Sequence, residues 1–202
     1  MTGLLYWKAE RGDANMPDVR VYLSHGGGVN SWALYLYLIE QGEVPGVDFE
    51  AIFVNHGTDW PETYEYMDMM IAKGYPVTVI RPEHDGCKTV YDFCQKWAII
   101  PNRRPGSRWC TQHFKVLPLI TYRQTPCIEL IGFDSAEAKR VKGVIERDGA
   151  MPDFPLIAAG IDRGGVHRPN HAPRSADPAE VRMLYLLLST PGAMDRTPRE
   201  AP

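Results

Sequence analysis

The sequence predicts an α/β fold, a mainly parallel sheet with helices on both faces, and two observations carry the prediction. Short apolar runs of strand length alternate with helical stretches between residues 18 and 133, and three consecutive glycines stand between the first strand and the first helix. A strand, a glycine turn and a helix in that order are the repeating half of a parallel sheet. Ligands of such sheets sit beyond the carboxyl ends of the strands.

Residues 18–23 read as a short buried strand. The loop Ser24-His25-Gly26-Gly27-Gly28-Val29-Asn30-Ser31 follows, and then a helix over 32–41 closed by Gly42. Residues 49–54 form a second strand, and 61–73 a helix with proline in its first turn and Gly74 behind it. A third strand spans 76–80, a helix 89–97, and 102–106 is a basic, turn-rich loop. The apolar run 127–133 is a strand that delivers Asp134 and Ser135 at its carboxyl end.

A chain of 202 residues that is 44% hydrophobic suffices for one core. Residues 1–17 are read as an extension, 18–163 as the folded domain and 164–202 as an atypical, poorly ordered tail. A net charge of −3 and a pI near 6.1 give no electrostatic ground for a nucleic-acid groove, so small-molecule chemistry is expected. The first sixteen residues lack the apolar run of a secretory signal and no later stretch has the length of a membrane span, which predicts a cytoplasmic protein without a membrane partner. Cys87, Cys94, Cys110 and Cys127 are irregularly spaced, with no C-x-x-C pair. That argues against a disulfide framework and favours reduced, buried thiols, with metal or catalytic roles open. His84, His113 and the aromatic residues of the second helix are read as structural or surface groups.

The glycine loop is the strongest chemical signal. Glycines let backbone amides approach an anion closely, and the helix behind them turns its positive end to the same place, so phosphate is the expected ligand. Ser24, Asn30 and Ser31 add side-chain donors, and His25 could add another. By itself such a turn is equally a tight strand-to-helix connection.

Its company makes it specific. The loop resembles, in the variant form S-x-G-G-G-x-N-S, the S-G-G-x-D-S phosphate loop of the phosphoadenosine phosphosulfate (PAPS) reductase and N-type ATP pyrophosphatase family. Asn55-His56-Gly57-Thr58-Asp59-Trp60-Pro61-Glu62-Thr63 is similar to that family's D-T-G-x-x-F-P-E-T, and Arg108-Trp109-Cys110-Thr111 with Lys115 and Pro118 to its R-x-C-T-x-x-x-K-x-x-P. Gly132-Phe133-Asp134-Ser135 followed by Arg140 stands where the family has G-x-R-x-x-E-S-x-x-R, with Glu137 displaced. The four motifs occur in order between residues 19 and 140.

The resemblance implies an adenine nucleotide alpha hydrolase-like, Rossmann-like fold. It also implies an enzyme that binds ATP or PAPS and cleaves ATP between the α- and β-phosphates to adenylate a substrate that the sequence does not name. Ser24, Gly26, Gly27, Gly28, Asn30 and Ser31 would hold phosphates, with Asn55 and Asp59 near the adenosine. Lys115, Arg108 and Arg140 would supply the positive charge of catalysis. A sulfonucleotide reductase is the enzymatic alternative, with Cys110 as its motif-linked thiol, and a nucleotide-binding module without turnover is the non-enzymatic one. A homodimer is left open. Two departures bear on the chemistry: Asn30 replaces the loop aspartate and removes a charge that would help hold magnesium, and the cysteine that sulfonucleotide reductases carry in an E-C-G-x-H setting is absent.

The tail from Gly164 is rich in proline, arginine and alanine, and its one apolar run, 183–188, has no partner pattern. A disordered extension is one reading of this, and an out-of-frame origin is the sharper hypothesis. Read one nucleotide later, the Met183–Leu184 junction must encode cysteine, Glu180–Val181 lysine or arginine, and Met194–Asp195 tryptophan. With permitted codons the shifted frame yields a cysteine-pair ending like that of the family. Only in such a restored frame would Cys110 join three further thiolates to hold an iron–sulfur cluster or zinc; the gene's codons at those junctions decide the matter.

Overall fold

The computed structural model describes residues 19–100, 108–144, 146 and 148–162. The tail with its frame question, the extension and the basic loop at 102–106 lie outside the described residues. Five strands form one parallel sheet, β1 (Arg20–His25), β2 (Glu50–Val54), β3 (Thr78–Ile80), β4 (Cys127–Ile131) and β5 (Ala150–Asp153), in the order β3-β2-β1-β4-β5. The chain runs outward from β1 through β2 to β3, then returns to the other side of β1. The sheet therefore has a switch point between β1 and β4, where the connections diverge and leave a crevice.

Strand alternation divides the core. Val21 and Leu23 of β1 face α1 (Val29–Glu40) and α2 (Pro61–Ala72), whose Trp32, Leu34, Tyr35, Leu38, Met67 and Met70 are buried against them. Burial of each such side chain contributes roughly 1.5–3 kcal/mol. On the opposite face Tyr22 packs with Ile52, Cys127 and Ala150. Leu119 covers them from α4, a helix in three stretches, Trp109–Thr111, Gln112–Val116 and Leu117–Tyr122. Helices thus cover both faces, as expected.

The middle stretch of α4 is π-helical. Pro118 explains it: proline has no N–H for the Phe114 carbonyl, and its ring displaces that carbonyl, so the turn before it widens. The helix α3 (Val90–Trp97) begins at a reciprocal cap, with Asp92 N donating to Thr89 Oγ1 at 3.0 Å and Thr89 N to Asp92 Oδ2 at 3.2 Å. Val90 of α3, Phe114 of α4 and Cys87 form a small third core, with Phe93 and Trp109 packed on it.

The elements differ from the expected ones at their edges. β1 continues through Ser24 and His25 because these residues still pair with Ile52 and Phe53 of β2. The helix α1 starts at Val29, three residues earlier than its apolar pattern, because the Gly28 carbonyl already accepts the amides of Ser31 (3.1 Å) and Trp32 (3.2 Å). β3 excludes Pro76, which has no amide for the ladder. α4, the 3-10 helix Ser135–Gly143, β5 and α5 (Pro155–Ala158) were not anticipated. β5 is four residues long with Pro152 inside it, a composition tolerated because the strand lies at the sheet edge.

Candidate functional site

The glycine loop lies at the carboxyl end of β1, beside the switch point. Gly27 has φ +75°, and a side chain there would meet Thr63 Cγ2 at 2.7 Å, so glycine is required on both counts. The loop organises its own amides: Gly26 N donates to Ser31 Oγ and Gly27 N to His25 Nδ1, each at 3.1 Å. His25 is therefore an acceptor turned into the core, not the additional donor expected from its place in the loop. Its ring meets Trp32 edge to face at 4.4 Å, and burial lowers its pKa to about 3, which keeps it neutral and able to accept. No side chain caps α1. The first-turn amides of an uncapped helix are satisfied by water or by an anion.

Asn30 ties this loop to the segment after β4. Its Nδ2 donates to Asp134 Oδ2 at 3.2 Å and to Glu137 Oε2 at 3.0 Å. Asp134 is buried and also caps the 3-10 helix, accepting the Glu137 amide at 3.1 Å. The same crossing is close in the backbone: a side chain at Gly132 would stand 2.9 Å from the Asn30 carbonyl oxygen and 3.2 Å from Ser31 Cα. Arg140 pairs with Glu137 and lies over the Phe133 ring, 4.2 Å from its centre. Ser24 points to the other face of the sheet, where its hydroxyl donates to Glu129 Oε1 at 2.5 Å; Glu129 in turn pairs with the buried Arg123 at 2.5 Å.

A second group gathers at the end of β2. His56 Nε2 is 3.1 Å from Asp59 Oδ2, Lys115 Nζ is 3.6 Å from Asp59 Oδ1, and His56 Nδ1 is 2.5 Å from Thr58 Oγ1. Partial burial opposes the Asp59 charge, yet His56 and Lys115 outweigh it and hold the carboxyl below its ordinary range. Asn55 shapes the same turn by accepting the Gly57 amide at 3.1 Å. Lys115 and His56 line a cavity of about 420 Å³ together with Val90, Tyr91 and Cys94 of α3 and Cys110 of α4.

The predicted residues thus fall into two sets. Gly26, Gly27, Gly28, Asn30 and Ser31 are together at the loop with Arg140 nearby, whereas Lys115 and Cys110 line the cavity and Asp59 pairs with Lys115. Ser24 belongs to the Glu129 network, and Arg108 is exposed just before α4. Among the described residues no three or more His, Cys, Asp or Glu side chains converge as a metal site, so Cys110 has no ligand set around it there. The cavity residues from α3 were missed. Their signal is the spacing of Val90, Tyr91 and Cys94, one and three residues apart on one helix face, beside a motif-bearing helix. None of the described helices is long and apolar enough to cross a membrane.

No family model matches the sequence, and no curated protein sequence matches it. Among solved structures the chain is similar to phosphoadenylyl-sulfate (PAPS) reductase from Candida auris, determined as a phosphate complex. The TM-score is 0.52 with 19% sequence identity, over 92% of this chain and 77% of that one. With its five parallel strands and helices on both faces, the chain has the α/β fold of that reductase, as its four motifs imply.

Proposed function

We propose that the chain binds an adenine nucleotide, ATP or PAPS, with the phosphates on the glycine loop and the adenosine towards the cavity, and that it cleaves ATP between the α- and β-phosphates to adenylate a substrate. One observation carries this reading. An uncapped helix behind a glycine loop stands at the switch point, and a cavity containing Lys115 opens at the carboxyl end of the adjacent strand β2. In the reaction an acceptor oxygen bonds to the α-phosphorus and the bond to the pyrophosphate oxygen breaks. The first-turn amides of α1 and the Lys115 ammonium stabilise the charge that develops on the phosphates. Magnesium would arrive on the phosphates of ATP, because no three-ligand cage is assembled among the described residues.

A second reaction, reduction of PAPS, is favoured by one feature: Cys94 and Cys110 line the same cavity as Lys115. There a thiolate would attack the sulfonate sulfur and displace the phosphate oxygen, and a second thiol would then release sulfite.

A thermal-shift titration with ATP, AMP and PAPS tests the binding. A ligand at one hundred times its Kd stabilises the folded state by about 2.7 kcal/mol. A rise in Tm with ATP accompanied by pyrophosphate release is the expected result. Sulfite release from PAPS with a dithiol reductant would select the second reaction, and absence of a shift with all three nucleotides refutes the reading.

A further inference from the structure

Two of the four cysteines are set apart by their surroundings. Cys87 and Cys127 are buried, whereas Cys94 and Cys110 are partly exposed and line one cavity from α3 and α4. The two helices are clamped together beside these thiols. Phe93 and Trp109, each the residue immediately before one of the cysteines, have ring centroids 5.1 Å apart. Phe93 also meets Phe114 at 5.8 Å, and His84 stacks on His113 at 4.1 Å along the same seam.

We propose that Cys94 and Cys110 are a redox-responsive dithiol whose oxidation to a disulfide closes the cavity between α3 and α4. A disulfide needs Cα atoms within roughly 4.4–6.8 Å; the two thiols line the same cavity and pack on the same cluster of Cys87, Val90 and Phe114. The oxidant is a small-molecule disulfide of the glutathione class. One cysteine thiolate attacks its sulfur and expels one glutathione thiolate, leaving a mixed disulfide. The other cysteine then attacks the protein sulfur, loses its proton to solvent and expels the second glutathione. Two protein thiols are oxidised and one small disulfide is reduced to two thiols. The two thiols also interact electrostatically: burial, and then Cys110, push the Cys94 thiol above its ordinary range.

The bond would cross the wall formed by Cys94, Cys110, Thr111 and Val90 and draw the helices together over the space in which the adenosine is placed. This closing role, though not the formation of the bond, rests on the nucleotide reading above.

The test is oxidation of the full chain with glutathione disulfide, followed by alkylation in denaturant and non-reducing peptide mapping. The expected result is a peptide cross-linked between Cys94 and Cys110, with Cys87 and Cys127 still alkylated, and no cross-link in Cys94→Ser or Cys110→Ser. Glutathione retained on either cysteine without a cross-link, or a cross-link to another cysteine, overturns the proposal. In parallel, the ATP thermal shift of the wild type is expected to disappear on oxidation and return with dithiothreitol, while that of each serine variant is the same before and after oxidant. A shift that survives complete cross-linking overturns the closing role. If the reduced protein shows no shift with any nucleotide, the nucleotide reading fails and the closing role with it, and the cross-linked peptide still decides whether the dithiol exists.

Discussion

Replacing Asn30 by aspartate should destabilise the protein, even though the resembled phosphate loop carries aspartate there. In this chain the Asn30 amide lies between two carboxylates, 3.2 Å from Asp134 Oδ2 and 3.0 Å from Glu137 Oε2. Asparagine donates to both; aspartate donates to neither and adds a third negative charge. Hydrogen bonds to charged groups contribute about 1.5–3 kcal/mol each. Two like charges about 4 Å apart repel by roughly 4 kcal/mol at an effective dielectric constant of about 20. The introduced carboxyl limits this penalty by binding a proton, so the net loss at neutral pH is about 3 kcal/mol. For a chain of this size that is a fall in Tm of roughly 6–12 °C.

Asn30→Ala supplies the control, since it removes the donors without adding a charge. The carboxyl of Asn30→Asp has a folded-state pKa raised above its unfolded value, so the variant gains stability relative to Asn30→Ala as pH falls through that folded value. Thermal unfolding of both variants between about pH 4 and pH 8 measures the effect. If Asn30→Asp is as stable as Asn30→Ala at every pH, the bridge between the two loops does not have the energetic role assigned to it.

Two further predictions concern the same loops. His25 has its pKa lowered to about 3 from 6.5, so the unfolded chain binds the proton first. Its contribution to stability is complete above pH ~6.5 and is lost as pH falls towards 3, by about 2 kcal/mol at pH 5. Urea unfolding at pH 7 and pH 5 should show that loss, and His25→Asn, which keeps an acceptor for Gly27, should lack this part of the pH dependence. Gly132→Ala puts a methyl 2.9 Å from the Asn30 carbonyl oxygen, against backbone that cannot turn away, whereas an alanine at Gly28 meets nothing within 4 Å. The first substitution should cost about 1–3 kcal/mol and the second less than about 0.5 kcal/mol in chemical denaturation.

The α/β class was legible because strands β1, β2 and β4 are apolar runs bounded by glycine or polar turns, and α2 and α3 carry their own start signals, Pro61 and the Thr89–Asp92 cap. The four elements that were not anticipated lack such signals. The helix α4 mixes apolar and basic residues with no single stripe, because its π turn shifts the helical phase part-way along. β5 is short and contains proline. At the site, local sequence showed that the glycine loop exists and nothing about where its side chains point. The inward turn of His25 depends on the alternation of β1 continuing into the loop. The ties from Asn30 to Asp134 and Glu137 span more than one hundred residues and depend on the position of β4 beside β1.

That placement also explains how an acidic pair can stand beside the glycine loop. Asp134 is buried, and its charge is taken up by the Asn30 amide and the Glu137 backbone N–H. Glu137 shares the Asn30 amide and pairs with Arg140, whose side chain is 59% exposed and rests on Phe133. An ion pair that exposed contributes less than about 1 kcal/mol, so Glu137 holds Arg140 only weakly. Without that pair Glu137 would keep one hydrogen bond, to Asn30, and an aspartate at position 30 would leave it none. Asparagine at position 30 thus keeps Glu137 hydrogen-bonded whether or not Arg140 pairs with it. The apparent departure from the phosphate-loop pattern is consistent with a second departure, the acidic residue at position 134, across the same switch point.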